Sequence, residues 1–219
     1  THSNPGRIHV NSIDITSLPW EGRYFNNNTI TLTAIPAPGY TFVGWQGAVV
    51  SANPTISLTP SSYTSVHAVF SFSQAEVPQI VISEINYNSA ANLNTGDWIE
   101  LFNQSLNPQD ISGWRIATKS PNKEFVFPQG TIVPAQSYCI VSSSISDFNR
   151  VYPLATYMRF SNESFSLVTS QETIIVYDSR GFKIHELSYT DQMPYPKKCD
   201  GYGYTLASGD ENQISQNPY

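Results

Sequence analysis

Charge is scarce in this sequence: Asp, Glu, Lys and Arg make up 13% of its 219 residues, with 11 Lys and Arg against 17 Asp and Glu. A protein that holds nucleic acid needs clustered cations to displace counterions from phosphates, and the one adjacent basic pair here is Lys197-Lys198. Residues 1–72 carry Arg7 and Arg23 against Asp14 and Glu21, so the net charge of −6 falls on the remainder. Nucleic acid is therefore not an expected partner. No apolar run reaches the eighteen or so residues that a membrane helix needs, so membrane insertion is not expected either. The histidines His2, His9, His67 and His185 are scattered and none adjoins a cysteine, a pattern that offers zinc no ligand set. There is no G-x-S-x-G elbow for a serine nucleophile, and the acidic ASGDENQ lacks the alternating carboxylates of a calcium loop. The opening at Thr1 has no signal-peptide pattern, and we expect the chain to be a piece of a longer precursor.

Aromatic and small polar residues are plentiful. Tyr and Phe number 13 and 11, set among Ser, Thr and Asn, a composition suited to short strands and polar turns. The stretch DWIELFNQSLNPQDISGWRI, from Asp97 to Ile116, is central. Along Asp97–Phe102 the side chains of Trp98, Glu100 and Phe102 point one way and Ile99 and Leu101 the other, so both faces of that strand want cover. Polar residues follow to Asp110, and Ile111–Ile116 is expected to return as a strand, with Gly113 before Trp114.

In chain order, the first unit reads as strands at Ile8–Asn11, Thr29–Ile35, Thr55–Thr59 and Ser65–Phe70. Between them lies APGYTFVGWQG, where Pro38-Gly39 makes a turn and Tyr40, Phe42 and Trp45 are expected in one small core beside Gly44 and Gly47. Ser73–Pro78 reads as a short connection. Beyond it, Gln79–Tyr87 is the first strand of a second unit, with Ile80, Ile82, Glu84 and Asn86 on one face and Val81, Ser83, Ile85 and Tyr87 on the other. Further strands are expected at Phe125–Phe127, Ser137–Ser142, Phe165–Val168, Thr173–Tyr177 and Lys183–Tyr189, and one helical turn at Ile145–Tyr152. Asp178–Gly181 forms a hairpin turn, Gly201–Leu206 closes the set, and a polar tail follows.

The segments ISEINYN (82–88), DWIELFN (97–103) and DISGWRI (110–116), in that order, resemble the signature of the lamin tail domain. That resemblance implies an immunoglobulin-like β-sandwich over roughly Val77–Leu206, often found in secreted or surface proteins of bacteria. ITLTAIPAPGYTFVGWQG followed by VHAVF resembles the divergent internalin-type B repeat over roughly Gly6–Phe72, with Ile13–Asn28 as an insertion-like departure that contains Trp20. The fold expected is all-β: a small B-repeat-like β module at 1–72, a linker at 73–78, and an immunoglobulin-like sandwich at 79–219. Bacterial proteins of this architecture often carry a kinase-like domain of the CotH type, so the resemblance implies that catalysis lies elsewhere in the precursor.

Within the chain, Glu84 and Glu100 are the carboxylates to weigh, since each stands mid-strand among apolar neighbours. One reading makes them, with Asp97, ligands for Ca²⁺ or the acid and base of a metal-dependent hydrolase. The other, which we favour, has each accept hydrogen bonds or pair with Arg115 to fix the sheet. Cys139 and Cys199 form one disulfide, or Cys139 is a core residue and Cys199 a free thiol. Trp20, Tyr195, Tyr202 and Tyr204 lie in or beside turns, where exposed rings would stack on sugars. The function expected is a non-catalytic contact and spacer module of a secreted or cell-surface bacterial protein, touching protein or the cell envelope; a carbohydrate-binding accessory module is the alternative.

Overall fold

The computed structural model describes residues 5–119, 123–154, 158–163, 165–207 and 214–216. The chain divides into two compact units, Thr1–Pro78 and Gln79–Tyr219.

The first unit holds β1 (Gly6–Val10), β2 (Ile13–Ile15), β3 (Ile30–Pro36), β4 (Tyr40–Gly47), β5 (Thr55–Leu58) and β6 (Val66–Phe72). Four of these form a sheet in the order β2-β1-β3-β5, and β4 pairs antiparallel with β6. Alternation in β3 works as the sequence suggests: Ile30, Leu32 and Ala34 are buried with Val10, Ile15 and Ile56. On the other face Thr29, Thr31 and Thr33 meet the hydroxyls of Thr59, Ser57 and Thr55 at 2.8, 3.5 and 3.0 Å. The stretch after Pro38-Gly39 is itself a strand, β4. A bulge between Phe42 and Gly44 turns both Phe42 and Trp45 to the core, their rings 5.7 Å apart. The Trp45 indole is 1% exposed, and its N–H donates to the Pro54 carbonyl at 3.2 Å. Tyr40 does not join that core but meets Phe72 edge to face at 5.3 Å. Gly47 has φ 97°, and a Cβ there would lie 2.6 Å from the Ser65 carbonyl oxygen, so only glycine fits. The segment expected as a linker is part of this unit: Ser73 donates to the Gly39 carbonyl at 2.8 Å, and the Gly39 amide donates to Glu76 at 3.1 Å.

The second unit holds β7 (Ile80–Asn86), β8 (Trp98–Asn103), β9 (Gln109–Asp110), β10 (Arg115–Thr118), β11 (Glu124–Val126), β12 (Ile132–Val133) and β13 (Tyr138–Ser142). After α1 (Ile145–Val151) come β14 (Met158–Ser161), β15 (Gln171–Tyr177), β16 (Lys183–Thr190), β17 (Tyr204–Ala207) and β18 (Ile214–Gln216). They form an immunoglobulin-like sandwich. One sheet runs β14-β13-β8-β7-β17-β18, the other β11-β10-β15-β16, and β12 pairs with β9. Ile82, Ile99 and Leu101 from the first sheet and Ile116, Ile174 and Val176 from the second share one core. On the outer side of β8, Trp98 packs with Ile140 of β13 and Phe148 of α1. Both faces of β8 are thus covered, as its alternation requires.

Several expectations are corrected. The face assignment along β7 fails at a bulge between Ile82 and Glu84: Ile85 and Tyr87 join Ile80 and Ile82 in the core, and Glu84 moves to the outer side. Ile111–Ile116 is not one strand. Gly113 has φ 70° and the Trp114 amide closes a turn on the Ile111 carbonyl at 3.0 Å, so β10 starts only at Arg115, in the opposite sheet from β8. Phe165–Val168 is irregular because side chains take its backbone groups: the Leu167 amide donates to Asp97 at 2.8 Å, and the Val168 carbonyl accepts from the Tyr189 hydroxyl at 2.7 Å. Within the polar tail, Ile214–Gln216 pairs antiparallel with Tyr204–Leu206; residues 208–213 and 217–219 lie outside the described residues.

Of the two readings left open for the cysteines, the unbridged one holds. Cys139 and Cys199 are both free and buried, each part of the sandwich core, and the Cys199 thiol donates to the Thr205 carbonyl at 3.1 Å. Burial pushes the Cys139 thiol up to about 12 and the Cys199 thiol up to about 11. Without thiolate there is neither reactivity nor easy oxidation. Both cysteines should therefore resist alkylation in the native protein and label fully in denaturant, with no mass change on reduction; rapid native labelling at either site would contradict this packing.

Candidate functional site

Glu84 and Glu100 come together. The bulge sets Glu84 directly opposite Glu100 across the β7–β8 ladder, so two carboxylates share one face of the sheet, an arrangement that disfavours charge on both. Glu100 is 7% exposed. Its Oε1 accepts from the Ser83 hydroxyl at 2.7 Å. Burial raises its carboxyl to about 7, opposed by the Ser83 hydrogen bond and reinforced by the charge of Glu84. Glu84 accepts from the Thr205 hydroxyl of β17. Arg115 serves neither. It stands in the opposite sheet, paired with Glu124 at 3.1 Å and lying over the Tyr177 ring at 4.1 Å.

Asp97 does not converge with them. It precedes β8, and its Oδ2 is committed to the Leu167 amide at 2.8 Å. Burial lifts its carboxyl to about 6 against the lowering effects of that amide and of Lys123. Strand alternation places Asp97 and Glu100 on opposite faces, which is why the proposed triad is not assembled. Among the described residues no group of three or more His, Cys, Asp or Glu is placed to hold a metal ion.

The polar residues of the three motifs instead serve the chain's own backbone. Asn86, ending β7, donates to Ser89 Oγ, Thr95 Oγ1 and the Gly96 carbonyl at 2.6, 2.7 and 2.9 Å, which closes the loop back to β8. Asn103, 0% exposed, donates to the carbonyls of Asn107, Val133 and Pro134 at 2.9, 3.2 and 3.0 Å. Its Oδ1 accepts from the Ser105 amide at 3.0 Å and hydroxyl at 2.8 Å. Asp110 accepts from the Ser112 amide at 2.8 Å. These roles escape a search for chemistry in the sequence, although an Asn that ends an apolar strand before a polar loop is a legible sign of such a clamp.

The aromatic candidates divide. Trp20 is 43% exposed, in the coil between β2 and β3, and sits in the first unit. Tyr195 and Tyr204 are half-buried against the sandwich core, with the Tyr195 hydroxyl donating to the Ser188 carbonyl at 2.8 Å. Tyr202 stands out, 73% exposed, between Gly201 and Gly203 at φ 81° and 86°.

Burial of Glu100 and Asp97 makes stability depend on pH. Glu100 and Asp97 bind protons more tightly folded than unfolded, so their contribution is complete below about pH 4 and is lost as pH rises through about 6 to 7. His185, lowered by burial, works in the opposite sense as pH falls below its unfolded value. The difference between wild type and Glu100→Gln isolates Glu100: chemical denaturation should find the variant more stable at pH 8 by up to about 3 kcal/mol, with the gap closing by pH 4. An unchanged gap across that range would refute the buried Glu100 carboxyl. Asn103→Ala should cost about 2–4 kcal/mol in the same assay by leaving buried carbonyls without donors.

Comparison with known proteins gives two sequence matches. The lamin tail domain profile matches residues 73–191, and that of the divergent InlB B-repeat domain matches residues 12–74. No curated protein matches significantly. Among solved structures, a DUF4876 family protein from Bacteroides thetaiotaomicron is similar at 12% identity and a TM-score of 0.35, covering 81% of this chain. The aligned region spans 64% of that protein's chain.

Proposed function

The chain belongs to the lamin tail domain family, and from that premise we propose that it is a non-catalytic contact and spacer module of a secreted or surface-displayed bacterial protein. The two matched domains, a sandwich and a B-repeat unit, fit a bacterial surface accessory module, and no helix among the described residues is long and apolar enough to cross a membrane. One observation carries the reading: the motif side chains that look chemical in the sequence are spent on structure. Asp97 holds Leu167, Asn103 holds the turn around Val133 and Pro134, and Glu84 and Glu100 take hydroxyls from strand neighbours. A general acid or base needs access to a substrate proton, and Glu100 at 7% exposure has little.

The partner in this reading is a protein or an envelope component. Any reaction belongs to neighbouring domains of a longer precursor, such as a CotH-type kinase. The test is retention of the labelled chain on isolated bacterial envelopes, comparing wild type with the double variant Glu84→Gln/Glu100→Gln. Retention should be equal for the two proteins. Binding lost in a double variant whose melting is intact would return the carboxylates to the functional surface and sink the proposal.

A further inference from the structure

The loop from Pro196 to Gly203 is built to present, not to pack. Lys197 and Lys198 begin it in a short 3₁₀ turn, both exposed, and its middle is anchored inward by Cys199. The Asp200 amide donates back to the Lys197 carbonyl at 3.1 Å. The Asp200 carboxylate is occupied, accepting from Asn88 Nδ2 at 2.6 Å. The Gly201 amide donates to the Asn88 carbonyl at 3.1 Å, and Gly203 lies so close to the 88–95 loop that a Cβ would sit 3.3 Å from Leu93 Cδ1. Tyr202 thus follows a pinned glycine and precedes a closely packed one, with its ring 73% exposed. Two residues on, the Lys198 ammonium lies over the Tyr204 ring at 5.2 Å, which places a cation beside an aromatic surface.

From this arrangement we infer that Tyr202, Lys197 and Lys198 form a docking surface for an acidic polysaccharide whose sugar rings carry carboxylates. The inference rests on the contact-module reading and names its partner. A pyranose offers an apolar face to a tyrosine ring, and a uronic acid adds an anionic group at the ring's edge that a lysine can pair with. Positive charge is concentrated locally: the chain carries −6 overall, yet its only adjacent basic pair stands here, and the acid within the loop is held by Asn88. A polyol phosphate would supply the charge but no ring to stack on Tyr202. A pinned loop also loses little entropy on binding, which favours affinity from few contacts.

The test uses the full chain in native gels containing polygalacturonate, with neutral dextran as comparison. Polygalacturonate should retard the chain and dextran should not, and the retardation should weaken as salt screens the lysines. Tyr202→Ala should weaken apparent affinity about tenfold or more without changing the melting temperature, and Lys197→Gln/Lys198→Gln should remove most of the salt dependence. Tyr63→Ala, at an equally bare tyrosine 87% exposed in the first unit, should change nothing. No retardation, equal retardation by dextran, or equal retardation of Tyr202→Ala would each overturn the docking surface. Release of new reducing ends from polygalacturonate would instead overturn the non-catalytic reading, while Tyr202-dependent retardation would still uphold the surface.

Discussion

In a regular strand, residues an odd number apart face opposite ways, and Ile82 and Ile85 of β7 are such a pair, yet both are fully buried in one core. The bulge between Ile82 and Glu84 reconciles them. Burying one isoleucine is worth about 1.5–3 kcal/mol, more than the ladder hydrogen bond that a bulge disturbs, at about 0.5–1.5 kcal/mol, so the kinked strand wins. The rest of the second unit follows from that choice. Tyr87 enters the core and stacks on Tyr189 at 4.5 Å, and Glu84 is turned outward, opposite Glu100. The first unit uses the same device between Phe42 and Gly44 to bring Phe42 and Trp45 to one side.

The second constraint is that buried backbone groups must find partners. The sandwich has long irregular connections, and where strand ladders stop, side chains take over. Asn103 serves three carbonyls and an amide. Asp97 supplies the acceptor that an absent strand at Phe165–Val168 would have supplied. Asp178 does the same inside the β15–β16 hairpin, accepting from the amides of Arg180 and Phe182 at 3.0 and 2.8 Å. A motif rich in Asp and Asn can thus specify a fold without containing a catalytic group. Elsewhere, as at Gly201–Gly203, a ring is left exposed on fixed backbone.

Much of the architecture was legible from pattern. Alternation located β3 and β8, β15 and β16 fall where strands were expected, turn residues located the Asp178–Gly181 hairpin, and the helical turn fell at α1 as expected from Ile145 onward. The misses along β7 and at Ile111–Ile116 share one cause. Strict alternation misassigned Ile85, Tyr87 and Glu84, and it ran Ile111–Ile116 as one strand through Gly113, because bulges and left-handed turns are decided by what must be buried on both sides. The number of cysteines left their pairing open, since two thiols can share a core without bonding.

The candidate site was legible in part. The sequence marked Glu84 and Glu100 as costly carboxylates and Tyr202 as a turn aromatic, because a charge mid-strand and a ring between glycines are local features. Whether carboxylates converge is not local: register placed Glu84 against Glu100 and alternation sent Asp97 away from both. Composition and period determined on their own that this chain would be all-β, since they record which residues suit a pleated, half-buried surface. Only the tertiary structure decided which polar side chains face solvent and which hold the backbone, because that depends on residues far apart in sequence meeting across the sandwich.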